Sequence, residues 1–214
     1  NLSFDNILIS AQHTHSAPSG YDEYFYYSIP GKGFYPEYLE VLVKHGLEAV
    51  SKALESHDER DLYWIRKDLP ADLAIARNRA MKSWRRNTNV DKSKNEVSAF
   101  DRRMGILGFY NEKQEPTAFW NWFACHATCL GNKNTLISSD NKGYASIHHE
   151  NKFNNQFVSV FAQGSAGDVS PNFIHSKKKR HGFLNDFDHV RDNGQKHLDA
   201  FEHIISLEKT AIIP

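Results

Sequence analysis

Two histidines separated by one residue, His13 and His15, follow an aliphatic stretch near the start of the chain. The stretch, residues 6–10, has three consecutive β-prone aliphatics between polar ends, which predicts a short buried strand. In extended backbone, residues i and i+2 point to the same face, so both imidazoles should face one site at the strand end. Imidazoles in that position suit metal binding or proton transfer. An isolated His-x-His motif is more often one turn-capping ring and one solvated ring, so the interpretation depends on residues further along the chain.

A third histidine, His126, follows a run of apolar residues at 118–124. That run predicts a central strand covered on both faces, and a titratable group at its end repeats the arrangement at His13. Cys125, His126 and Cys129 could also be three metal ligands, but a structural zinc site usually has four ligands with Cys-x-x-Cys spacing. We therefore predict that both cysteines simply pack in the interior.

A glycine-rich turn at 164–172 follows a short strand predicted for residues 157–161. Ser170 in this turn could act as a nucleophile or donate a hydrogen bond to an anion. The alternative is a turn in which Asp168 and Ser170 bond their own backbone. Strand ends on one edge of an α/β sheet build one crevice, so we expect the Ser170 hydroxyl to face the cavity of the three histidines.

Strands alternate with helices along the chain, which predicts an α/β fold with a central, mostly buried sheet flanked by helices. The helices are expected at Pro36–Ser56, Asp140–Phe153 and about 185–207, and the strands at 61–67, 104–110 and 117–124, of which the last two form a hairpin. We find neither an internal repeat nor a linker, so residues 1–214 are interpreted as one domain. The strand-like residues 211–214 indicate that the chain stops inside that domain.

The composition excludes some classes of function. Lys+Arg and Asp+Glu both number 26, and this zero formal charge argues against nucleic acid as a partner. We see no apolar run long enough to span a bilayer and, with two cysteines, no disulfide framework. The basic run at 177–181 either forms a solvated loop or attracts anionic lipid weakly. The second alternative would allow association with a membrane surface.

The order and spacing of five motifs resemble the neutral (non-lysosomal) ceramidase family over roughly residues 5–173. The motifs are His13-Thr14-His15-Ser16, Asn78-Arg79, His126, residues 139–145 and Gly167-Asp168-Val169-Ser170-Pro171-Asn172. The last is the most specific. The resemblance implies a hydrolase that uses one zinc ion to cleave the amide of ceramide, giving a sphingoid base and a fatty acid. It also implies a sphingolipid or other N-acyl lipid as the substrate, and a secreted, periplasmic or cell-surface location.

The same resemblance implies a role for each site residue. His13 and His126 would be zinc ligands, and His15 would assist proton transfer or transition-state binding. Arg79 would line the substrate site, and Ser170 would be the nucleophile or a polar partner of the reacting centre. The remaining zinc ligands, a glutamate and a tyrosine, would come from sequence beyond residue 214. The zinc site would thus lie at the strand ends of the sheet.

Two other functions compete with this one. A metal-free hydrolase could pair Ser170 with His15 or His126, and metal analysis would separate it from the zinc enzyme. A non-catalytic lipid- or glycan-binding domain could keep the same fold, although His13, His126 and Ser170 would then have no chemical reason to be present.

Overall fold

The computed structural model describes residues 3, 5, 7–55, 58–70, 72–153, 157–173 and 185–207. The chain divides into two compact units, one made of residues 1–16 with 61–214 and the other of residues 17–60. The basic run at 177–181 and the expected strand at 211–214 lie outside the described residues.

The larger unit is built on a four-stranded mixed sheet. Its strands are β1 (Asp61–Asp68), β3 (Arg103–Tyr110), β4 (Pro116–Phe123) and β5 (Val158–Gln163), in the order β1-β3-β4-β5. The β1–β3 and β3–β4 pairs are antiparallel, and the β4–β5 pair is parallel. A separate two-stranded antiparallel sheet joins β2 (Arg77–Asn78) to β6 (Val169–Ser170). The hairpin predicted for β3 and β4 is confirmed.

Alternation along β4 divides its side chains between two environments. Phe119 and Phe123 point into the core and are buried. Trp120 and Trp122 lie on the opposite face, where their rings stack at a centroid distance of 5.1 Å while remaining half-buried. The strand is central in the sheet, as predicted, but only one of its faces is fully covered.

Helices α4 (Asp140–Asn151) and α5 (Asp186–Leu207) cover the buried face of the sheet. Helix α4 links β4 to the parallel strand β5, as a crossover between parallel strands requires. The Phe201 ring of α5 packs edge-to-face against Phe119 and Phe161, at 5.2 and 5.4 Å between centroids. Such aromatic pairs add to the hydrophobic stabilisation of a core. The predicted α/β class, with a central sheet and flanking helices, is confirmed.

The smaller unit contains α1 (Phe25–Ser28), a 3₁₀ turn (Ile29–Gly31) and α2 (Pro36–Glu55). The helix predicted to begin at Pro36 is confirmed, and its periodic apolar residues form one stripe. That stripe is exposed within the part of the chain that the structure describes. A four-residue helix, α3 (Met81–Trp84), lies in the larger unit after β2.

The strand predicted for residues 6–10 is wrong in the described part, 7–10. These residues form no strand, and Ile7, Leu8 and Ile9 are exposed. Residues 11–16 instead make one backbone hydrogen bond to each of several different segments. For example, the Gln163 N–H donates to the Ala11 carbonyl at 2.8 Å. A strand requires one partner over several residues, and an aliphatic run does not reveal whether that partner exists.

Across the residues the structure describes, no helix combines the length and the apolar character needed to cross a bilayer.

Candidate metal centre

His126 lies three residues beyond the end of β4, and the turn after β5 holds its ring. Its backbone N–H donates to the Val169 carbonyl oxygen at 3.2 Å. Ring Nδ1 lies 2.9 Å from that same oxygen and 3.0 Å from the Ala166 oxygen. Carbonyl oxygens only accept, so Nδ1 carries a proton, and in the neutral ring the lone pair is on Nε2. Metal-ligating histidines are oriented in this way, by a hydrogen bond from the nitrogen that does not face the metal.

His13 and His15 reach the same place from the N-terminal segment. The backbone of His13 has φ 63°, in the left-handed region, so the extended geometry predicted for this pair is wrong. The His15 N–H donates to the Ala127 carbonyl at 3.3 Å, and the Thr14 hydroxyl donates to the Ser138 carbonyl at 2.6 Å. These bonds fix the segment beside the loop that follows β4, which is why the rings converge without a strand.

The three imidazoles form one cluster, in which one nitrogen from each ring lies within 4.8 Å of the others. Nε2 of His13 and Nε2 of His15 are 3.2 Å apart. The ring centroids of His13 and His126 are separated by 4.8 Å, and those of His15 and His126 by 5.4 Å. Zinc bonds to nitrogen of about 2.0–2.1 Å place tetrahedral ligands about 3.3 Å apart, a spacing close to the 3.2 Å between the His13 and His15 nitrogens. The donor set therefore fits a metal ion.

The electrostatic surroundings of His13 and His15 lower the pKa of both rings. Burial, followed by the charges of His126, His15 and Lys142, lowers the pKa of His13. Burial, His126 and Arg79 lower the pKa of His15, against an opposing effect of Asp140. A metal ion binds only the unprotonated imidazole, so the lowered values favour a ligating form at neutral pH.

Arg79 lies at the margin of the cluster, directly after β2. Its backbone N–H donates to the Asp168 carbonyl at 2.8 Å, and its guanidinium donates to the Gly167 carbonyl at 3.2 Å. The side chain is exposed, and its charge acts on His15. Since a guanidinium has five N–H donors, Arg79 has further donors for a polar group near the histidines.

Ser170 lies in β6, paired with Arg77 of β2, and is buried. Its hydroxyl accepts a hydrogen bond from the Asn172 N–H at 3.1 Å, and the Asn172 amide donates to the Thr128 carbonyl at 2.8 Å. The segment that carries Ser170 is thus attached to the strand end that carries His126. That the hydroxyl faces the histidines stays a prediction.

A further contact near Arg79 joins the buried Asn78 to the partly buried Asp168. The Asn78 amide nitrogen donates to the Asp168 carboxylate at 2.7 Å and to the Ala99 carbonyl at 2.8 Å, and its oxygen accepts from the Ala80 N–H at 2.7 Å. These bonds fix the backbone on either side of Arg79. The Asn78-Arg79 motif is the sequence signal for this contact.

The fold and the cluster define an α/β chain with a candidate metal site of three imidazoles at the edge where β4 and β5 end. The chain belongs to the neutral/alkaline non-lysosomal ceramidase family, whose N-terminal model matches residues 2–199. It is 32% identical over 192 residues to the neutral ceramidase of Pseudomonas aeruginosa, covering 89% of this chain and 28% of that protein. It is 33% identical over 174 residues to neutral ceramidase B of Dictyostelium discoideum, covering 78% of this chain and 24% of that protein.

Solved structures show the same likeness. A ceramidase complexed with C2 matches with a TM-score of 0.81 at 31% identity, over 92% of this chain and 30% of that one. The neutral ceramidase from Pseudomonas aeruginosa matches with a TM-score of 0.80 at 30% identity. The chain spans about a quarter of the length of the neutral ceramidases it matches.

Proposed function

We propose that the protein is a zinc-dependent hydrolase that cleaves the N-acyl amide bond of ceramide, or of a related lipid amide, into a sphingoid base and a fatty acid. His13 and His126 are the zinc ligands contributed by this chain. The observation that carries the proposal is the cluster of three imidazoles, in which His126 is oriented through its Nδ1 by backbone carbonyls. Family membership supports a ceramide-like substrate. The resemblance that predicts the substrate also predicts a secreted, periplasmic or cell-surface protein.

Amide hydrolysis needs a nucleophile at neutral pH and stabilisation of charge on the carbonyl oxygen. Zinc, when bound, supplies Lewis-acid polarisation and acidifies water. His15 lies beside the proposed ligands, with Nε2 3.2 Å from Nε2 of His13. We assign His15 to proton transfer, accepting a proton from the nucleophile and delivering it to the departing amine nitrogen.

Arg79 and Ser170 complete the proposed site. The exposed Arg79 guanidinium would bind a polar group of the lipid near the scissile amide, which positions the substrate. Ser170 would act as the nucleophile or donate a hydrogen bond to the developing oxyanion.

The environment of Ser170 favours zinc chemistry over a metal-free Ser/His pair. In a metal-free Ser/His pair, the serine nucleophile needs a histidine within hydrogen-bond reach. Within the described part of the chain, the hydrogen bond of the Ser170 hydroxyl is to the Asn172 N–H rather than to a histidine.

The test is hydrolysis of an N-acylsphingosine by the purified full-length protein, with fatty acid and sphingoid base both quantified. Activity should disappear with a chelator and return with zinc. Ser170→Ala should lower turnover by at least about 10²-fold while zinc content and folding are kept, whereas His13→Ala should lose zinc and activity together. Ser165→Ala, at an exposed position in the same turn, is the matched control and should retain full turnover.

A wild-type protein that neither binds zinc nor cleaves the amide would contradict the proposed function. If Ser170→Ala alone kept near wild-type turnover, the serine would be a turn residue and its role would be withdrawn.

A further inference from the structure

The first residue of α4, Asp140, holds the loop that follows His126. Its carboxylate accepts hydrogen bonds from the N–H groups of Cys129, at 3.0 Å, and Leu130, at 2.9 Å. The side chain is 2% exposed, and its backbone has φ 55°, a left-handed conformation that is uncommon outside glycine. Such a strained backbone persists only where the surrounding structure holds it in place. The contacts of the Asp140 carboxylate therefore fix this residue where it lies.

The next two residues hold the peptide groups on either side of the proposed ligand. The Asn141 amide nitrogen donates to the His126 carbonyl at 3.2 Å and to the Asn193 side-chain oxygen at 2.8 Å. The Lys142 ammonium donates to the Cys125 carbonyl. Three consecutive residues of α4 therefore bind four backbone groups of the six-residue segment 125–130.

The choice of a lysine is informative because Lys142 is 1% exposed. Removing an ammonium from water is costly, and an apolar side chain of similar volume would fill the space at lower cost. A buried charge that binds the backbone beside His126 is thus better explained by positioning than by stability.

We propose that Asp140, Asn141 and Lys142, here called the α4 clamp, are positioning residues that fix the backbone at His126. Through it, they set the direction of the His126 Nε2 lone pair toward His13 and His15. The inference rests on the proposed function and deepens it. It also assigns a role to the motif at 139–145, which contributed to the family resemblance without any chemistry attached to it.

The test compares two clamp variants with a matched control in the full-length protein. Lys142→Met removes the donor at similar length, and Asn141→Ala removes the bond to the His126 carbonyl. Lys152→Met, at the exposed end of α4, is the control. Zinc affinity is measured by chelator competition, and site geometry by the visible spectrum of the cobalt-substituted protein.

Zinc affinity should fall about 10- to 100-fold in both clamp variants, as expected when partners of a metal ligand are removed. The cobalt bands should shift, kcat should fall more than KM changes, and Lys152→Met should match the wild type. Wild-type zinc affinity and cobalt spectra in the folded clamp variants would overturn the proposal, whatever their activity. If one variant does not fold, the other decides.

Failure of the proposed function would be distinguishable, because it would be observed in the wild-type protein and not only in the clamp variants. If the wild type binds no zinc, the clamp is judged in the metal-free protein by the ¹⁵N spectrum of labelled histidine. The clamp predicts one tautomer of His126, with the proton on Nδ1, in the wild type and a mixture in the variants. An identical tautomer in all three proteins would overturn it.

Discussion

Gly194 lies in α5 where that helix meets the start of α4, and we predict that Gly194→Ala destabilises the protein. A Cβ at this position would lie 2.6 Å from Cδ1 of Tyr144 and 2.8 Å from the backbone oxygen of Asn141. Distances under 3.0 Å between a Cβ and another heavy atom require something to move. The backbone oxygen belongs to a residue of the α4 clamp, so the shift would be transmitted to the candidate site.

The magnitude follows from two opposing effects. Alanine in place of glycine inside a helix stabilises it by about 0.5–1 kcal/mol. Overpacking of a filled interior costs about 1–3 kcal/mol, with the larger values expected where backbone rather than a flexible side-chain end must yield. The expected net result is a loss of about 1–2 kcal/mol in the free energy of unfolding of this region.

Gly46→Ala is the matched control, since Gly46 lies inside α2 and a Cβ there meets nothing within 4 Å. This substitution should stabilise its helix by about 0.5–1 kcal/mol. Hydrogen–deuterium exchange measures both effects separately, through peptides from α4 and α5 in one variant and from α2 in the other. A change of about 1 kcal/mol alters the opening constant about five-fold.

Exchange in α4 and α5 that is unchanged or slower in Gly194→Ala would show that the added Cβ costs no stability. That result would mean the two helices can separate at no cost, and the close approach of α4 to α5 would have no energetic significance.

Two further predictions concern buried titratable groups. Burial, followed by the charge of Lys142, lowers the pKa of His197 to about 3, so the folded state keeps this ring neutral while the unfolded state protonates it. Stability should therefore be lost as pH falls from about 6.5 toward 3, by up to about 1.4 kcal/mol per pH unit for this group. In urea titrations from pH 7 to 4, His197→Leu should weaken the pH dependence of the free energy of unfolding, whereas His203→Leu, at an exposed position, should not. The same pH dependence in the wild type and both variants would show that His197 is not its source. Burial raises the pKa of Cys125 to about 12 and that of Cys129 well above its ordinary value. Neither thiol should react with iodoacetamide at pH 8 until the protein unfolds, and labelling of the native protein within minutes would contradict this.

The helices and the hairpin could be predicted because their signals are local. The apolar period after Pro36 and the polar turn at 111–116 determine α2 and the β3–β4 pair without reference to distant residues. The location of His126 could also be predicted, since β4 and β5 are parallel neighbours whose carboxyl ends share one edge.

Other features could not be predicted because they depend on distant partners. The aliphatic residues 7–9 have the composition of a strand, but pairing is decided by whether a neighbouring edge runs alongside them. The α4 clamp depends on a left-handed start at Asp140 and on bonds to residues 10–17 positions away. The motif at 139–145 does not predict these bonds by itself, because the start of α4 and residues 125–130 become neighbours only in the folded protein.

One zinc ion held through His13 and His126 would be seen directly in the metal content of the full-length protein. We predict one zinc per chain in the wild type, with X-ray absorption showing imidazole ligands at about 2.0–2.1 Å. His126→Ala should lose most of that zinc, because it removes a ligand itself, and even the loss of a ligand's partners costs about 10- to 100-fold in metal affinity. His148→Ala, which changes an exposed histidine of α4, should retain all of it. Full zinc occupancy in His126→Ala would show that His126 is not a zinc ligand.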